Sequence, residues 1–93
     1  MAKQVNAAHI LVKTEKEAKD LRAKIAGGEK FADLAKKHSQ CPSGRKGGEL
    51  GWFGKGQMVA AFENAAFSAE KGAVVGPIRT EFGWHLILVI DLR

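Results

Sequence analysis

The chain has 93 residues and a mass of 10.0 kDa, with 45% hydrophobic and 27% charged residues. A chain this short buries about two-thirds of its unfolded surface, which allows one core and one shallow site across residues 1–93 and excludes a cofactor domain joined to a substrate domain. The composition excludes disorder as the main state, the single cysteine, Cys41, excludes an internal disulfide framework or a multi-cysteine zinc site, and 15 basic against 10 acidic residues give a net charge of +5.

The pattern from Val5 to Val12 predicts the first strand, with Val5, Ala7, His9 and Leu11 on one face and Ala8, Ile10 and Val12 on the other. Apolar residues on both faces mark a central strand covered on two sides. Thr14-Glu15-Lys16-Glu17 then reads as a capping box. It opens a helix with Ala18, Leu21, Arg22 and Ile25 on one side and Gly27-Gly28 as its stop. A second helix, from about Lys30 to Ser39, turns Phe31, Leu34 and Ala35 inward, with His38 one turn further along.

Residues 42–56 hold six glycines and read as a loop interrupted by one short strand, Leu50-Gly51-Trp52-Phe53. This region is not a phosphate cradle, because Gly54-Lys55-Gly56 lacks the hydroxyl residue that follows Gly-Lys in such loops. A third helix is predicted from about Val59 to Ser68. The chain then closes as a hairpin, with a strand near 75–80, a turn at 81–83 and a strand over 84–92. The order β-α-α-β-α-β-β predicts an α+β domain, a four-stranded and mostly antiparallel sheet flanked by helices.

Three groups of residues have chemistry to offer. His9 and His85 each open a strongly apolar stretch, Ile10-Leu11-Val12 and Leu86-Ile87-Leu88-Val89. Each reads either as a satisfied core residue or, if the strands are neighbours, as half of a mutually bonded imidazole pair. Cys41 precedes Pro42, which biases it to an extended conformation. It is an inert thiol, a nucleophile with a histidine base, or a polar wall of a binding site. The third group is apolar. Met58 and Phe62, four residues apart, are expected to stack on one helix face. Phe67 lies roughly 140° further round, so the two phenyl rings are expected to point to different surfaces, one of them the core. Leu50 and Phe82, each beside a glycine-containing turn, line the same hollow or belong to the core.

His9-Ile10-Leu11-Val12-Lys13, Cys41-Pro42-Ser43, Gly48-Glu49-Leu50-Gly51, Gly56-Gln57-Met58 with Phe62, and Glu81-Phe82-Gly83-Trp84-His85 stand in this order along the chain. Together they resemble the parvulin-type peptidyl-prolyl cis/trans isomerases, in particular the small single-domain prokaryotic type. The resemblance spans essentially the whole chain and implies the same four-stranded sheet. It also implies that His9 and His85 are the family's paired histidines, with Cys41 and Thr80 in their polar network, and that Leu50, Met58, Phe62 and Phe82 form the proline pocket. Lys13-Thr14-Glu15-Lys16 runs straight into the first helix without the arginine pair of phosphate-selective relatives. A broad preference before proline is therefore expected, with no cofactor and no metal.

The partners implied are proline-containing peptides and unfolded or folding proteins. Residues 1–46 carry eleven basic and five acidic side chains, but most lysines alternate with acids at helical spacings, as in Lys16, Lys19 and Lys24 among Glu15, Glu17 and Asp20. That is a solvated helix face rather than a basic stripe with interleaved aromatics, and it argues against nucleic acid as the main partner. No apolar run reaches the ~18 residues of a membrane helix, and the start of the chain lacks the apolar stretch of a signal peptide. A cytoplasmic monomer is expected.

Overall fold

In the computed structural model, which describes residues 3–93, strand β1 spans Gln4–Val12, helix α1 Glu15–Ala26 and helix α2 Phe31–His38. They are followed by a short 3-10 helix, Pro42–Lys46, then by β2 (Glu49–Gly54), α3 (Ala60–Ser68), β3 (Val74–Thr80) and β4 (Gly83–Leu92). The strands form one sheet in the order β2-β1-β4-β3, and every neighbouring pair is antiparallel. β1 and β4 are the two inner strands, as the run of buried residues along each requires.

Strand alternation divides the core in two. Ala8, Ile10, Val12 and Leu86 point to one side, where Ala18 and Leu21 of α1 and Phe31, Leu34 and Ala35 of α2 cover them. Val5, Ala7, Ile87 and Val89 point to the other, against Phe53 of β2 and Phe62 and Ala66 of α3. α1 begins at Thr14, whose hydroxyl accepts from the Glu17 N–H at 3.2 Å. It stops where the Gly27 N–H turns back to the carbonyls of Ala23 and Lys24.

Part of the glycine-rich stretch read as loop is ordered. Pro42, with its fixed φ and no N–H to satisfy, starts the 3-10 helix. At its far end Gly48, with φ +86°, offers its carbonyl to the His9 N–H at 2.9 Å. A Cβ there would lie 2.2 Å from the His9 carbonyl oxygen, so only glycine lets this segment close against β1.

Two expectations about α3 need correction. Met58 precedes the helix, so it does not share a helix face with Phe62. The Gln57 side-chain oxygen accepts from the Gly54 N–H at 2.8 Å, and this turn keeps the chain non-helical up to Val59. Nor do Phe62 and Phe67 go to separate surfaces. Both rings meet Phe53, at centroid distances of 5.9 and 6.0 Å, because β2 sets that ring between them.

Candidate active site

Because β1 and β4 run antiparallel, the far half of β1 lies beside the first residues of β4. His9 pairs with Ile87 and His85 with Leu11, which makes the two histidines diagonal neighbours on the α3 side of the sheet. Their rings stack at 5.2 Å with 17° between planes, and the Nδ1 atoms are 3.0 Å apart. The Phe62 ring stands edge-on to both, at 5.6 and 5.5 Å. One phenyl ring thus braces the pair from the helix side.

Each outer nitrogen also has a partner. His85 Nε2 meets the Thr80 hydroxyl at 2.7 Å, and that hydroxyl oxygen accepts from the Phe82 N–H at 3.2 Å. His9 Nε2 meets the Ser43 hydroxyl at 3.2 Å, which in turn donates to Cys41 Sγ at 3.2 Å. Burial, reinforced by the neighbouring His85, pushes the His9 pKa down from 6.5 to about 4. Burial also lowers that of His85. Both rings are neutral at pH 7, so a single proton lies between the two Nδ1 atoms.

Cys41 is held at the end of β1 by its approach segment. Ser39 Oγ accepts from the N–H groups of Leu11 and Cys41, at 3.1 and 3.4 Å, and the Gln40 N–H donates to the Leu11 carbonyl at 2.8 Å. Beside it opens a cavity of about 550 Å³ whose walls are mostly carbon. His9, His85, Cys41, Leu50, Met58, Phe62 and Phe82 all line it. Thr80 does not and stands behind His85. Phe82, 65% exposed, forms the lip. A larger depression of about 850 Å³ lies on the outer side of the 3-10 helix, with Lys36, Arg45, Lys46 and Glu49 in its walls. It meets the first only along Gln40, Cys41 and Pro42.

The sequence pattern of the rotamase family described as the PPIC-type PPIase domain matches residues 5–91. The chain belongs to this family. It is similar to the foldase protein PrsA of Geobacillus kaustophilus, with 51% identity over 89 residues, covering 95% of this chain and 32% of that protein. Among solved structures, NmPin, the parvulin of Nitrosopumilus maritimus, superposes with a TM-score of 0.88 at 42% identity. That likeness covers 98% of this chain and 99% of the other. PrsA of Bacillus anthracis superposes with a TM-score of 0.96 at 38% identity, over 99% of this chain and 43% of that one. The chain therefore spans about a third of the curated foldases it matches and nearly all of a single-domain parvulin. The sheet and its helices are those of the parvulin fold.

Within this PPIC-type domain, one polar residue of the network escaped the sequence reading. Ser43 bridges His9 and Cys41. Its signal was present in Cys41-Pro42-Ser43, since a proline that opens a tight helical turn brings the side chains on either side of it together. Gln57, Leu11 and Val59 also line the cavity without having been singled out.

Proposed function

We propose that this isomerase domain speeds rotation about X–Pro bonds without forming a covalent bond to its substrate. The barrier to that rotation is roughly 20 kcal/mol and arises from amide resonance, which places negative charge on the carbonyl oxygen. Twisting the amide removes the resonance and leaves a less polar group. A carbon-lined hollow holds the twisted form relatively better than water does, and a fit to its shape lowers the barrier directly. A reduction of about 5 kcal/mol corresponds to several-thousand-fold acceleration. The observation that carries this reading is the placement of Leu50, Met58, Phe62 and Phe82 around one opening whose remaining wall holds Cys41 and the imidazole pair.

In this reading the four apolar residues seat the proline ring. Cys41 stands by the reacting amide as a polar neighbour that disfavours charge on its oxygen. His9, His85 and Thr80 align the site from behind. Cys41→Asp is expected to retain measurable isomerase activity, read by NMR exchange or a protease-coupled assay. Complete loss in a folded variant would point to covalent attack by the thiol instead.

The substrates we propose are proline-containing segments of peptides and folding proteins, with a broad preference before proline. Names such as foldase for the longer relatives agree with this. The absence of an arginine pair after β1, where Lys13 leads directly into α1, supports indifference to phosphate. The test is a peptide series varying the residue before proline and including phosphoserine. Accelerated exchange across the series is expected. Binding without any change in the exchange rate would reduce the domain to a peptide-docking module. A reducing compartment suits the free Cys41 thiol, and fractionation with sedimentation would test a cytoplasmic monomer.

A further inference from the structure

Every imidazole nitrogen of the pair has a protein partner, and the two hydroxyls at the ends set the direction of the bonds between them. Ser43 donates its proton to Cys41 Sγ, so toward His9 its oxygen acts as acceptor. His9 must then carry its proton on Nε2 and present a bare Nδ1 to His85. The proton shared between the rings therefore belongs to His85 Nδ1. That leaves His85 Nε2 bare to accept from Thr80, whose oxygen already takes the Phe82 N–H.

The five bonds thus run one way, from the Phe82 backbone at the pocket lip to the Cys41 sulfur on the opposite wall. The reversed arrangement is poorer. It would leave the Thr80 proton without an acceptor inside the network and would rely on a thiol, a weak donor, to satisfy Ser43. With Ser43 donating, the Cys41 sulfur is engaged as an acceptor and held in the cavity wall.

We propose that Ser43 is a positioning residue of the isomerase site. Its hydroxyl selects the Nε2–H form of His9, orients the chain of bonds through His85, and holds the Cys41 sulfur toward the pocket. The inference rests on the isomerase reading for its kinetic consequence and on geometry alone for its spectroscopic one.

The deciding experiment is ¹⁵N NMR of the histidine rings in the full chain at neutral pH. His9 is expected to carry hydrogen on Nε2 and His85 on Nδ1. A His9 ring with its hydrogen on Nδ1 overturns the proposal before any variant is made. In Ser43→Ala the His9 signals should move toward the other form or to a mixture. The kcat should fall roughly fivefold to tenfold, the size of one lost hydrogen bond, while KM changes little. Ser43→Thr, which keeps the hydroxyl, should restore the wild-type ring pattern and most of the rate. An Ala variant with unchanged ring signals and kcat within twofold of wild type would refute the role. Wild-type protein with the expected ring signals but no isomerase activity would instead overturn the functional reading and leave the hydrogen-bond assignment standing.

Discussion

The two faces of the sheet are made by the same two inner strands, yet one is closed and the other is open. Leu86, fully buried, points beneath α1 and α2 into a layer of packed apolar side chains. Its neighbour His85, 4% exposed, points the opposite way into the wall of the cavity. On the α3 side the apolar layer of Val5, Ala7, Ile87 and Val89 continues into two imidazoles and then into the 550 Å³ opening. Strand alternation lets consecutive residues serve stability and chemistry separately, so a polar network can be inserted on one face while the other stays dry.

Substitutions on the two faces should therefore have different signatures. Phe62 breaks the division, because it is both core and pocket wall. Phe62→Ala is expected to lower stability by about 4 kcal/mol and to remove most turnover, as read by urea denaturation and an exchange assay. Ile10→Ala, on the closed face, should cost about 3 kcal/mol while leaving kcat/KM of the folded molecules unchanged. A comparable loss of turnover there would mean that the faces are coupled.

Acid should act on the open face, through its two histidines. The His9 pKa is lowered on folding from 6.5 to about 4, so between these pH values the unfolded chain binds more protons than the folded one. Stability is then full above about pH 6.5 and falls as the pH drops toward 4. The loss is on the order of 2–3 kcal/mol, with His85 acting in the same direction. Denaturation midpoints across this range measure it, and His9→Phe should flatten the slope. The smallest effect belongs to the lip. Phe82→Ala should leave stability within about 0.5 kcal/mol and raise KM roughly threefold, since the ring is largely in solvent.

Much of this was legible in the order of residues. Alternation in Val5–Val12 predicted a strand apolar on both faces, and it is one of the two inner strands. Thr14 and Gly27 marked the ends of α1 because capping is local chemistry between residues a few positions apart. The same locality explains the misreadings around residues 42–58. Gly48 is required by the His9 carbonyl, nearly forty positions away along the chain, and the bends near Met58 follow from a Gln57 side chain that periodicity does not register.

The order of elements, the two-sided core strand and the residue types available for chemistry could be read from the residues alone, because these depend on period and on neighbouring groups. Folding alone brings His9 and His85, 76 residues apart in sequence, together through Nδ1, sets Ser43 between His9 and Cys41, and lets Phe62 brace both rings. The register of β1 on β4 and the turn of chain at Pro42 produce those contacts, and long-range pairing is set by how the whole core closes rather than by any local stretch.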